Sequence, residues 1–212
     1  MTPPPWRLSG HGLLALYAPA RSRPPGAVML VRYANSPVGP YDELLWLEWT
    51  GGLRRAHPVV RHIVVSSEQS VQWGRRNWAL PKRLARFEWP APTQVRVSTP
   101  AGTPLAALHF QPSPWSLHTR LNLLPRRLRT LAQPALDGSG RIDTLVQGEG
   151  GVGPARLHHA DLTGLVPEVQ GRHPWLTLAV PEFRLLFPPG VTAARGPDRP
   201  SGQAIKKPPL GR

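Results

Sequence analysis

The chain has 212 residues, no cysteine and a formal net charge of +14. That length suits one domain with a closed core, and the missing cysteines exclude disulfides and thiolate metal sites. No stretch reaches the length of a membrane-spanning helix, and Met1-Thr2-Pro3-Pro4-Pro5-Trp6-Arg7 lacks the apolar segment of a secretory signal, so a cytoplasmic, membrane-free protein is expected.

The 28 prolines are spread along the chain and argue against long helices, favouring many short strands joined by loops. Candidate strands in chain order are 13–17, 27–33, 44–49 and 61–66, then 84–89, 94–98 and 105–110, and finally 142–147, 155–162 and 183–187. In the 155–162 segment, Ala155, Leu157 and His159 alternate with Arg156, His158 and Ala160, the period of a half-buried strand. One helix stands out: Ser66-Ser67-Glu68-Gln69 has capping-box spacing, with Ser66 as N-cap, and leads into 69–76. A second, short helix is expected over 123–131, with Pro125 in its first turn. The predicted architecture is a mainly β, antiparallel barrel over 1–187 with few short helices, closed so as to avoid open edges. Residues 188–212 are rich in Pro, Gly and cations and read as a disordered basic tail.

Several motifs carry less than they suggest. Gly148-Glu149-Gly150-Gly151-Val152-Gly153 fits a dinucleotide fingerprint, but Pro154 and an alternating strand pattern follow where a helix N-terminus is needed. The eight histidines do not converge at ligand spacing, so no metal is expected. There is no G-x-S-x-G elbow for a serine hydrolase. The tryptophans, among them Trp46, Trp49, Trp73, Trp78 and Trp89, read as core and rim packing. The arginines are scattered, with Arg54-Arg55, Arg75-Arg76 and Arg126-Arg127-x-Arg129 as tight groups, and no nucleic-acid-binding motif accompanies them.

Against this background one residue is conspicuous. The 26 basic residues include only three lysines, and Lys82 is the sole lysine before the tail, which holds Lys206 and Lys207. A guanidinium stays charged, whereas a desolvated ammonium can lose its proton and attack a carbonyl. Trp78-Ala79-Leu80-Pro81 before it and Arg83 after it form an apolar, cationic setting that would lower its pKa.

Two segments, Ser36-Pro37-Val38-Gly39-Pro40-Tyr41-Asp42-Glu43-Leu44-Leu45 and Gly74-Arg75-Arg76-Asn77-Trp78-Ala79-Leu80-Pro81-Lys82-Arg83-Leu84-Ala85, together resemble the acetoacetate decarboxylase-like superfamily. In that family a Gly-Arg-Glu-like turn leads to a Pro-Lys-Lys motif whose first lysine forms a Schiff base with the substrate ketone. An upstream Tyr-x-Glu supplies a carboxylate. The resemblance implies a cone-like antiparallel β-barrel with the lysine in its interior, and a homo-oligomer. It implies Lys82 as nucleophile, Arg83 as the neighbouring cation that depresses the pKa of Lys82, and Glu43 as the active-site carboxylate that moves protons or orients the substrate. Tyr41, Arg75, Trp78, Leu80 and His11 would surround the substrate, with no cofactor. The chain departs from the family in two places. Residues 28–33 contain no acid where the family has a further glutamate, and His11 stands where the first strand of the family carries arginine.

Three readings follow. The first is Schiff-base chemistry on a small keto acid or other carbonyl compound, by decarboxylation or a related C–C lyase or aldol-type step. The second is a non-catalytic barrel that binds a small carboxylate or apolar metabolite, with Lys82 as counter-ion. They differ in the pKa of Lys82, depressed for chemistry and ordinary for binding. The third is weak, sequence-independent association of the basic surface with nucleic acid.

Overall fold

The computed structural model describes residues 2–20, 23–51 and 56–194. Arg54, Arg55 and residues 195–212, most of the expected tail, lie outside the described residues. The chain runs β1 (Trp6–Tyr17), β2 (Gly26–Asn35), β3 (Tyr41–Thr50), β4 (His57–Val65), α1 (Glu68–Trp78), β5 (Lys82–Leu84), β6 (Arg86–Ala91), β7 (Gln94–Ser98) and β8 (Pro104–Pro112). It continues through β9 (Leu117–Arg120), β10 (Thr130–Pro134), β11 (Gly140–Leu145), β12 (Gln147–Asp161), β13 (Leu176–Phe187) and β14 (Val191–Ala194). β14 falls inside the expected tail and pairs with β11.

Eleven strands form one sheet in the order β5-β4-β3-β2-β1-β13-β12-β8-β7-β6, with β9 added on β12. β5 and β6 end this path, yet only Ala85 separates them in the chain. The two edges of the sheet are therefore covalently joined, and the sheet must curl until they meet. This is the mainly antiparallel barrel that the strand pattern predicts, with the cone-like form that the resemblance implies. The β4–β5 pairing is the parallel exception, because α1 carries the chain back to the start of a neighbouring strand.

Strand periodicity divides the core in two. On one face Leu13, Leu30, Leu44, Trp46 and Val64 meet Val95, Val97 and Leu108 from the far end of the strand path, so this face is concave and encloses the barrel interior. On the other, Leu8, Tyr33, Tyr41, Leu45, Ile63 and Phe183 pack beneath Trp78 and Leu80, at the end of α1. A second sheet, β10-β11-β14, lies against β4. Gln133 of β10 joins the two: its amide oxygen accepts from Val60 N at 3.0 Å and its amide nitrogen donates to Val60 O at 3.1 Å. That buried side chain thereby takes the place of a strand partner on β4.

The predicted helix over 123–131 does not form. Leu124 is extended (φ −80°, ψ 144°) because it precedes Pro125, and two 3-10 turns, Leu121–Leu123 and Arg126–Arg129, flank it instead. No helix of the described residues is long and apolar enough to cross a membrane.

Candidate active site

α1 begins one residue later than its capping-box spacing suggests. Ser67, in an extended conformation, is the N-cap, and its hydroxyl accepts from Ser70 N at 3.2 Å. The helix ends at Ala79, a left-handed residue (φ 53°), with Leu80 N donating to Gly74 O and Ala79 N to Arg75 O. Its buried residues, Ser70, Gly74 and Trp78, recur every fourth position and form one strip facing the sheet. The tight stop then turns the chain into β5, where Lys82 pairs with Ile63.

Lys82 lies under that strip. A Cβ on Gly74 would stand 2.7 Å from Lys82 Cδ and 2.8 Å from Cε, so the missing side chain of Gly74 is the space through which the lysine stem passes. Lys82 Nζ donates to Glu43 Oε2 at 2.7 Å and to Ser70 Oγ at 2.9 Å, and sits 5.2 Å from the Tyr41 ring centroid. Glu43 Oε1 accepts from Tyr33 Oη at 3.1 Å. The Tyr33 and Tyr41 rings stack obliquely with centroids 4.5 Å apart. Lys82 and Glu43 are each 4% exposed.

These contacts determine the charge state. Burial alone pulls the Lys82 ammonium down, but the Glu43 carboxylate, aided by Tyr41, more than reverses it, and the pKa of Lys82 lies above the ordinary lysine value. Burial, followed by Glu43, pushes the Tyr33 phenol well up, so it stays a donor to the carboxylate. Burial also raises Tyr41, against the opposing pull of Lys82.

Lys82, Glu43 and Tyr41 thus come together as the sequence suggested, while other expectations are corrected. The pKa of Lys82 is raised, not depressed. Arg83 does not act on it: successive strand residues point to opposite faces, and Arg83 is exposed while Lys82 is buried. The lysine is not in the barrel interior but between the opposite face of the sheet and α1. His11 is across the sheet from it, because His11 pairs with Arg32 and Arg32 with Asp42, whereas Glu43 pairs with Val31. Trp78 is a core residue, stacked edge-on against Trp6 and Phe187, and its indole donates to Pro188 O at 2.8 Å. Leu80 is buried in the same cluster. Arg75 is exposed and its guanidinium reaches the Lys82 carbonyl at 3.4 Å, which pins the turn rather than a substrate.

Ser70 and Tyr33 were not anticipated. The signal for Ser70 was present in the four-residue spacing Ser70-Gly74-Trp78. Tyr33 becomes visible only with the β2–β3 register, which places it opposite Tyr41.

On the concave face His11, Arg32 and Trp89 line a separate cavity of about 370 Å³ together with Leu13, Leu30 and Phe110. Asp42 bridges Arg32 Nε and Trp89 Nε1, each at 3.1 Å, and the Arg32 guanidinium lies 4.4 Å over the Trp89 ring. Burial and the Arg32 charge lower the pKa of His11.

No protein-family model matches the chain, and no curated protein matches it significantly. Solved structures do. Acetoacetate decarboxylase from Legionella pneumophila subsp. pneumophila superposes with a TM-score of 0.60 at 13% identity, over 91% of this chain and 88% of that one. The enduracididine biosynthesis enzyme MppR, in its complex with pyruvate, gives 0.55 at 14% identity, over 91% of each chain. An acetoacetate decarboxylase-like enzyme from Sphingomonas wittichii RW1 gives 0.58 at 11% identity, over 91% of this chain and 94% of that one. The chain has the acetoacetate decarboxylase-like fold.

Proposed function

We propose that this chain is a divergent acetoacetate decarboxylase-like enzyme in which Lys82 forms a Schiff base with a small keto acid. The observation that carries this reading is the Lys82 Nζ–Glu43 Oε2 contact of 2.7 Å between two buried groups. A nucleophilic amine must first lose a proton, and here the acceptor is already in place. Transfer from Lys82 to Glu43 leaves the pair with zero net charge before and after. At rest the ion pair prevails, because Glu43 holds the pKa of Lys82 up against burial, so the neutral amine is reached by this transfer within the pair and not by loss of the proton to solvent.

The amine then attacks the ketone carbon, forming a C–N bond, and the carbonyl oxygen takes a proton from Glu43. Loss of water from the carbinolamine gives an iminium, an electron sink that makes decarboxylation or an aldol-type step accessible. Tyr33 holds the carboxylate in position, and the Ser70 hydroxyl orients the amine. The fold shared with a pyruvate-binding enzyme supports a small keto acid as ligand. An assembly of several copies belongs to this reading, supported by exposed Trp115, Leu117 and Leu123 near one another in the chain.

A second reading has its own observation. The raised pKa of Lys82 and its near-complete burial are those of a permanent ion pair, which fits a non-catalytic barrel. Borohydride reduction in the presence of pyruvate, acetoacetate or another keto acid, followed by peptide mass mapping, separates the two. Adduct on the Lys82 peptide, absent from Lys82→Arg, is expected of the enzyme. No adduct across a broad panel of keto acids would leave the ion-pair reading standing.

A further inference from the structure

A cavity of about 680 Å³ lies away from Lys82 and carries a different chemistry. It is built on one row of side chains that crosses five adjacent strands. Asn35 of β2 pairs with Ser9 of β1, Ser9 with Arg184 of β13, Arg184 with Glu149 of β12, and Glu149 with Arg120 of β9. Cross-strand partners share a face, so all five point the same way. Arg7 pairs with Leu186 two positions along the same face, and Arg129 enters from the 3-10 turn before β10.

Four guanidiniums therefore line the cavity against one carboxylate, Glu149. That carboxylate is engaged by Arg120 at 3.3 Å. Among the described residues, Arg7, Arg129 and Arg184 make no side-chain hydrogen bond or ion pair, and Arg129 Nε is buried without a partner. Clustered cations without counter-charges concentrate a positive potential in the concavity, which favours an anion there over bulk solvent. Strand spacing fixes the extent of the array: the guanidiniums on β1, β13 and β9 are spread over four adjacent strands, which at about 4.8 Å apart span about 14 Å. A compact monoanion meets one end of such a row, while an extended oligoanion meets several guanidiniums at once. The forked donors of arginine match phosphate oxygens in pairs.

We propose that this cavity binds a small, extended phosphate-bearing anion, an oligophosphate or nucleotide, through Arg184, Arg7, Arg120 and Arg129. The Gly148–Gly153 segment takes part differently from a phosphate loop. It is strand in β12, and Gly148 offers a bare backbone on the cavity wall where a Cβ would stand 2.3 Å from Leu185 Cδ2.

Isothermal titration calorimetry of the full chain with inorganic tripolyphosphate, and separately with ATP, tests this at low and moderate salt. One-to-one binding of tripolyphosphate is expected. Arg184→Gln and Arg120→Gln should each weaken it about tenfold, the loss of one charge-assisted bond. Arg96→Gln, on β7 and outside the cavity, should change it by less than about twofold. Tighter binding of ATP identifies a nucleotide site, and equal binding identifies a site that reads the phosphates alone; both uphold the class. Arg184 is exposed, but should its variant fail to fold, Arg7→Gln serves the same purpose. No saturable binding up to about 1 mM would overturn the proposal. Equal weakening by Arg96→Gln, or citrate binding as tightly as tripolyphosphate, would also overturn it. So would capture of a single-stranded oligonucleotide that tripolyphosphate cannot displace.

Discussion

Replacing Glu43 with Gln keeps the shape of the side chain and an acceptor for Tyr33 Oη, but removes the charge that holds Lys82 protonated. Breaking a buried pair from one side costs about 3–5 kcal/mol, a large share of the roughly 5–15 kcal/mol that stabilises a domain. The pH dependence is the more specific readout. In the native protein the folded pKa of Lys82 lies above the unfolded value. Its stabilising contribution is therefore fully present below the unfolded pKa and disappears only as pH rises through the folded one. Without the carboxylate, burial becomes the dominant influence and the folded pKa drops below the unfolded value. The ammonium then destabilises the fold at neutral pH, and stability rises with pH between the two values by up to about 1.4 kcal/mol per pH unit. Urea denaturation from pH 7 to 9.5 reads this slope below the range in which the buried tyrosines ionise. Lys82→Met combined with Glu43→Gln should remove the slope and recover at least about 2 kcal/mol of the summed single losses. A Glu43→Gln variant within about 1 kcal/mol of wild type and with an unchanged pH slope would refute the coupling.

Three further substitutions test how the site is held. Gly74→Ala should gain about 1 kcal/mol of helix propensity but lose about 1–3 kcal/mol to overlap with the Lys82 stem, a net loss measurable by denaturation; a stabilised variant would contradict the close approach. Ser67→Ala should cost about 1 kcal/mol, because its hydroxyl caps the first turn of α1, whereas Ser66→Ala should not remove that cap. Gln133→Leu leaves the Val60 amide and carbonyl without the bonds that tie β10 to β4, and should cost about 2–4 kcal/mol with faster hydrogen exchange at Val60.

Much of the fold was legible because proline and alternation act locally. The 94–98 strand matches β7, and several other predicted strands lie inside longer observed ones. Their ends extend further because pairing, not composition, sets where a strand stops. β4 begins at His57 although Pro58 follows, since that stretch pairs with β3 on one side only and the missing N–H faces the other. β9, β10 and β14 were missed: each is four or five residues long and depends on a distant partner. The candidate site shows the same division. Lys82 and Glu43 were legible from rarity and from the two resembling segments. The influence of Arg83 was misjudged because neighbours in sequence on a strand are not neighbours in space. The true neighbours, Ser70 from a helix and Tyr33 from β2, are distant in sequence, and only the register brings them together.

The pair beneath α1 is difficult to explain by stability alone. Two charges removed from water recover their desolvation cost only through very good geometry, and apolar replacements of the same volume are often neutral or stabilising. The surroundings, Trp78, Leu80, Ile63 and Phe183, would accept such replacements readily. Instead the chain keeps its only pre-tail lysine there, leaves Gly74 bare to admit the stem, and aims two hydroxyls at the charged atoms. Each feature alone has a packing explanation. Together they fix the amine, the carboxylate it donates to and the orientation of both to hydrogen-bond precision, the arrangement that the proposed proton transfer needs.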